Sequence, residues 1–251
     1  MDSKNLYMWS NLSFKTLCYR KNFDMVNDND NIITECDGTI SEIRIAEYKP
    51  PIIVGEYGFS VWNIRMGMLF NIDFGKLIRE HSVENTYDEL QFLVNNKAFN
   101  VLDYHKVLLI HTLVLRPDYR KRGITEEFIE ALYRDFHDKS TAIIALVKPF
   151  QDNPIDADFF FKRKYVQVRE KVGDYHKIDN IPALEYYGLT PLMNKRDVEL
   201  NEYKLFSVAS KCGFSRLDNS HLFQFSPDKI IERMLEKRDM LQKHENTIEN
   251  Q

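Results

Sequence analysis

Four of the seven residues from Arg116 to Arg122 are basic (Arg116, Arg120, Lys121 and Arg122), and Gly123 follows at once. Cations this dense suit an anion. The next segment, "ITEEFIEALYRDFH" (124–137), has the spacing of an amphipathic helix. A helix start carries amides without intrahelical acceptors and a partial positive charge of about half a unit. A phosphate placed there is held by both. Arg120, Lys121 and Arg122 would add charge, Gly123 would let the backbone approach closely, and the following helix would add its dipole. Together these features suit a pyrophosphate. The chain has no GxxxxGK[ST] and no GxGxxG, so neither a P-loop nor the dinucleotide fingerprint is expected. A charge run is often only a solvated face, but this one directly follows a buried strand.

His111 is the second chemically suggestive residue. It interrupts the apolar run "KVLLIHTLVL" (106–115), and a histidine there is costly unless hydrogen-bonded or functional. Strand alternation puts residues 109, 111, 113 and 115 on one face, so His111 should accompany Leu113 and Leu115. A core histidine paired with a carbonyl is the competing reading. His105, His176 and His221 lack ligand spacing and read as surface residues. Asp152, Asp156 and Asp158 lack the glycine and distal glutamate of a calcium loop. Cys18, Cys36 and Cys212 form no CxxC pair and read as reduced core thiols of a cytoplasmic protein.

The elements that must carry these groups follow from periodicity. Residues 106–115 are nearly all apolar, as in a central strand covered on both faces. Ile124, Phe128, Ala131, Leu132 and Phe136 form the stripe of the helix after it. "TAIIALVKPF" (141–150) is a second buried strand, giving a parallel strand–helix–strand unit. Strands are also expected at 39–48 and 50–62, and one or two helices across 74–96. The polar stretch 27–31 reads as a loop. "DADFFFKRKYVQVRE" (156–170) reads as a short helix plus a strand, within an insertion spanning 151–197. A helix over 199–214 ends at Gly213. A hairpin (215–226) and a C-terminal helix and tail (227–251) complete the chain. The expected organisation is one domain (1–226) with an N-terminal extension (1–38), the insertion, and that C-terminal helix.

The 251 residues carry 34 basic and 38 acidic side chains. A net charge of −4 argues against a general nucleic-acid binder, which needs a broad basic surface. No apolar run reaches the ~18 residues of a membrane span. The 30 Phe and Tyr residues (17 and 13) argue for a real core rather than a disordered chain.

"HTLVLRPDYRKRGI" (111–124) resembles the acetyl-CoA-binding core of the GNAT acyltransferase superfamily: an apolar strand ending in V-x-P, then [QR]-x-x-G-x-[GA], then a helix. Leu115 takes the apolar position, Pro117 the proline, and Arg120, Arg122 and Gly123 the loop, while Thr125 replaces the last small residue. "ALVKPF" (145–150) resembles half of a K-P-F-P-L-Q strand found in one subgroup, and "EYKLFSVASKCGF" (202–214) with the hairpin after it resembles the family's last helix and strands. The resemblance covers about 75–150 and 199–226.

It implies an α/β (α+β) fold, a mixed sheet whose parallel central strands splay apart, with flanking helices and a C-terminal helix. It further implies acetyl-CoA as acyl donor, its pantetheine arm pairing with the backbone near Leu113, Val114 and Leu115, and its pyrophosphate held by the amides from Arg122 through Gly123 and Ile124 to Thr125. The activity implied is transfer of an acetyl group to a primary amine, either a small molecule or a peptide, and His111 corresponds to a histidine implicated as a base in arylalkylamine acetyltransferases. Two departures matter. Ala209 stands where the family's acid tyrosine is usual, and Leu109 where many members carry glutamate. An inactive binding or structural component of a larger assembly, or a homo-oligomer, is therefore the alternative expectation.

Overall fold

The computed structural model describes residues 12–20, 32–43, 51–69, 99–136, 140–148, 165–172, 175–189 and 195–228, with scattered positions between 71 and 95, at 138 and between 230 and 239. Most of the helices expected over 74–96, the loop at 27–31 and the segment 149–164 lie outside the described residues.

Nine strands are described. β1 (Leu12–Arg20), β2 (Ile33–Glu42) and β3 (Ile52–Asn63) form an antiparallel meander, followed by helix α1 (Ile64–Leu69). β4 (Lys106–Leu115) leads through the basic turn into α2 (Ile124–Phe136) and then β5 (Thr141–Leu146). β6 (Tyr165–Val172) and β7 (Tyr175–Pro182) make a separate hairpin that ends in the single turn α3 (Ala183–Tyr186). α4 (Lys195–Lys211), β8 (Phe214–Arg216) and β9 (Leu222–Phe225) follow. Helical residues recur between 228 and 239.

The main sheet runs β1-β2-β3-β4-β5-β9-β8. Its one parallel pair is β4 with β5, at the centre; the other neighbours are antiparallel. The chain is thus a mixed α/β protein with a large mixed sheet. Residues 12–20 and 33–42, assigned from sequence largely to an N-terminal extension, are two strands of this sheet. The 39–48 expectation fell late by several residues, because β2 begins at Ile33.

Both sheet faces are covered, as the apolar run in β4 requires. Val107 and Leu109 pack with Trp62, Ile64, Phe99 and Ile144. Leu108 and Ile110 face the other way, onto α2. There Ile124, Phe128, Ile129 and Leu132 are buried at i, i+4, i+5 and i+8, the stripe of an amphipathic helix. Burying a side chain such as Phe128 contributes about 1.5–3 kcal/mol. Ala131 and Phe136, placed on the stripe from sequence, lie at its rim, and Phe136 meets Phe59 edge-on at 5.7 Å.

Two glycines act through what they lack or allow. A Cβ on Gly38 of β2 would collide with the ring of Tyr57, which crosses β2 so that its hydroxyl lies 2.6 Å from Thr16 Oγ1 on β1. Gly213, at φ +91°, ends α4 as its sequence position predicts. Cys36 is disulfide-bonded, and Cys18 is its register partner on β1. The expectation of reduced thiols therefore fails at Cys36 and holds at buried Cys212, which removes one argument for a cytoplasmic location. No helix among the described residues is long and apolar enough to cross a membrane.

Candidate functional site

β4 changes character at His111. Gly58 of β3 pairs with Thr112, but the next residue, Phe59, pairs with Ile110. His111 is thus the extra residue of a β-bulge. The insertion shifts the strand's parity. Leu108 and Ile110 face α2, and past the bulge so do Leu113 and Leu115. Val114 faces away, against Val166, Ala183 and Tyr187. Strict alternation therefore misassigns His111: it does not share a face with Leu113 and Leu115. Its ring lies over Gly58, where a Cβ would come within 2.7 Å of Cε1 and 3.2 Å of Asp37 Oδ1. Nε2 stands 3.5 Å from Glu35 Oε2 on β2, and Nδ1 stands 3.3 Å from Thr112 Oγ1. Both His111 and Glu35 retain about a seventh of their side-chain exposure (14% and 15%), so the pair is sheltered but reachable.

β4 also loses its other neighbour here. The parallel register with β5 runs from Lys106↔Thr141 to Ile110↔Ala145 and stops. β5 turns to β9 through Leu146↔Leu222 and a bond from the Val147 amide to the His221 carbonyl. The edge of β4 from His111 to Leu115 therefore has no partner strand on the β5 side among the described residues.

The strand then enters the basic turn. Arg116 N–H bonds the Val54 carbonyl, and a short 3-10 turn spans Pro117–Tyr119. Lys121 and Gly123 both have positive φ, +62° and +80°. Gly123 adopts this without steric cost, whereas Lys121 carries a Cβ in a region L-residues rarely occupy. The first helical bond of α2 runs from the Glu127 amide to the Gly123 carbonyl. Among the described residues, no acceptor lies on the amides of Ile124, Thr125 and Glu126. Ile124 itself is a core residue, so its backbone, not its side chain, faces a ligand. Thr125 is half-buried at the same turn.

The cations divide in a way that the sequence does not reveal. Arg120 turns back on the protein: Nε donates to the Leu115 carbonyl at 3.1 Å and Nη2 to the Tyr187 carbonyl at 2.6 Å. Partial burial lowers its pKa from the ordinary guanidinium value, though the group stays charged. Arg116 reaches Asp118 at 3.0 Å and lies 5.0 Å above the Tyr186 ring. Tyr186 in turn donates to the Ile53 carbonyl at 2.6 Å, and burial holds its phenol above the ordinary value despite Arg116 nearby. Arg122 stacks 4.7 Å over Tyr119, and Lys121 is exposed. Arg120 is thus a scaffold residue that fastens α3 to the turn, leaving Lys121 and Arg122 beside the α2 amides. Leu115, expected to pair with a ligand through its backbone, already gives its carbonyl to Arg120.

A second carboxylate–imidazole pair was not foreseen. His221, read from sequence as a surface residue, is half-buried and bonds Glu202 Oε1 on α4 at 2.7 Å. Its carbonyl holds β5 at Val147, beside the end of the parallel pair. Ala209 and Leu109 are both buried in apolar clusters. Among the described residues, no group of three His, Cys, Asp or Glu side chains is placed to hold a metal ion. No family model, no curated protein and no solved structure matches this chain.

Proposed function

We propose that the chain is a GNAT-like N-acyltransferase that moves an acetyl group from acetyl-CoA to a primary amine. The observation that carries this reading is a conjunction on one strand. β4 loses its parallel partner after Ile110, bulges at His111, and delivers the chain through Gly123 to the unbonded amides of Ile124 to Glu126. An extended amide-bearing arm fits the unpaired edge of β4, and a diphosphate fits the amides with Lys121 and Arg122 beside them. Acetyl-CoA supplies the activated acyl group as substrate. On this reading His111 accepts the proton of the acceptor ammonium, and the freed amine forms the N–C bond as the C–S bond breaks and a thiolate departs. A backbone N–H of the unpaired β4 edge is available to the developing oxyanion.

A second reading is a GNAT-like binding component without turnover. The apolar side chains of Ala209 and Leu109, both buried, favour it.

One experiment tests the cofactor claim. Acetyl-CoA at ~100 times its Kd stabilises a protein by about 2.7 kcal/mol, which raises Tm by several degrees for a chain of this size. Gly123→Val, which puts a Cβ at φ +80°, should abolish that shift. No shift at millimolar acetyl-CoA rejects both readings. A shift without release of CoA thiol across a panel of primary amines selects the second.

A further inference from the structure

We infer that Glu35 is a positioning residue that fixes His111 as the Nε2–H tautomer, leaving Nδ1 as the basic nitrogen. The inference rests on the base role proposed for His111, but its structural half stands apart from any activity. Three strands build the arrangement. On β2, Ile33 and Glu35 share the face away from α2, while Cys36 and Ile40 face α2. On β3, Gly58 opposes that surface with no side chain, which leaves room for an imidazole to lie flat across the strand. On β4, His111 follows Ile110, which faces α2, and so points the other way with Leu109; the bulge then returns Leu113 and Leu115 to the α2 side. Without the glycine the ring would collide with a Cβ.

The two ring nitrogens then meet different chemistry. An ionised carboxylate only accepts, so the nitrogen facing Glu35 Oε2 at 3.5 Å must bear the proton. The separation is long for a hydrogen bond, yet catalytic contacts commonly tighten only once substrate is bound. A hydroxyl both donates and accepts, so Thr112 Oγ1 at 3.3 Å tolerates an unprotonated Nδ1 and can donate to it. The same carboxylate stabilises the imidazolium formed when Nδ1 takes a proton from the acceptor ammonium; the proton moves from nitrogen to nitrogen and no other bond changes. A carboxylate that orients a histidine and supports its cationic form is a general device of acid–base sites. Asp37, the next acidic side chain on the same face of β2, also approaches Gly58, its Oδ1 lying 3.2 Å from where a Cβ would stand.

Two measurements decide it. In protein labelled with 15N-histidine, at a pH where the ring is neutral, Nδ1 of His111 should resonate as an unprotonated nitrogen and Nε2 as a protonated one. Glu35→Ala should scramble that assignment, while Glu35→Gln, whose amide oxygen still accepts, should keep it. A protonated Nδ1 in the native chain, or an unchanged spectrum in Glu35→Ala, overturns the inference whether or not the protein turns over. In steady-state assays Glu35→Ala should lower kcat about ten-fold, a part of the ~10²–10⁴ that a general base supplies, with KM for acetyl-CoA unchanged. Glu35→Gln should retain the tautomer yet lose much of kcat, because it keeps the acceptor and removes the charge. Equal kcat in all three proteins also overturns the inference. If instead no amine is acetylated by the native chain, the transferase reading falls, while the nitrogen spectra still decide how Glu35 and His111 are related.

Discussion

The two halves of β4 are built for different ends. From Val107 to Ile110 the strand is paired on both edges and buried on both faces. From His111 to Leu115 it is bulged, half-exposed, and paired on the β3 side alone among the described residues. The first half is wholly apolar, and the second, after His111 and Thr112, returns to the same apolar types at Leu113, Val114 and Leu115. What differs is the demand on the backbone. In the first half every amide and carbonyl is committed to the sheet, and the side chains contribute packing. In the second, backbone groups are left for other partners, and two side chains, those of His111 and Thr112, are polar. Full pairing and a half-open edge are thus separated by a single residue step.

The largest test of that separation is Leu108→Ala. Leu108 is fully buried, and its truncation should cost about 3 kcal/mol in urea unfolding, within the ~2–5 kcal/mol usual for buried leucine. On the other side of the divide, His111→Ala should leave stability and the acetyl-CoA shift intact and lower kcat by about 100-fold, or ~2.7 kcal/mol in activation free energy. A large loss of stability with kcat unchanged would return His111 to the core. Arg120→Ala should cost about 1–2 kcal/mol, because two charge-assisted bonds to the Leu115 and Tyr187 carbonyls are lost; protease cleavage of the 165–189 unit should quicken. A selective loss of acetyl-CoA affinity instead would make Arg120 a ligand residue. Leu113→Ala should cost only about 1 kcal/mol, since its side chain is half-exposed. A cost equal to that of Leu108→Ala would erase the contrast between the halves.

The smallest effect lies at high pH. Burial raises the Tyr57 phenol above its ordinary value of 10.0. Its contribution is therefore fully present below pH 10.0 and is lost as pH rises through the folded-state value. Tyr57→Phe should flatten the alkaline limb of the stability curve; an unchanged limb would assign the loss to other groups.

Much of the central unit was legible in the sequence. An uninterrupted apolar run, a 3.6-residue stripe with acids at its start, and a second apolar run can hardly form anything but β4, α2 and β5. Gly213 marked the end of α4 for a local backbone reason. The failures share a cause: they depend on contacts across strands. β1 went unseen because its residues mix polar and apolar types without a period. The parting of His111 from Leu113 and Leu115 depends on one inserted residue, visible only once β3 and β4 are aligned. The carbonyls that take Arg120 come from residues 115 and 187, and nothing local links them. Glu35 could have been found only by reading 33–42 as a strand and pairing it through β3 to β4. Glu202 and His221 are likewise brought together only by the packing of α4 on the hairpin.

The phenol of Tyr57 reaches across the hollow at Gly38 to Thr16 and so rivets three successive strands with one ring. A border strand free to peel exposes its neighbour to recruitment by foreign chains. Here such fraying must first break a bond whose other end is anchored in the core, so amide exchange along β1 should follow the slow rhythm of β3, and the glycine at 38, seemingly idle, guards the sheet's outer margin.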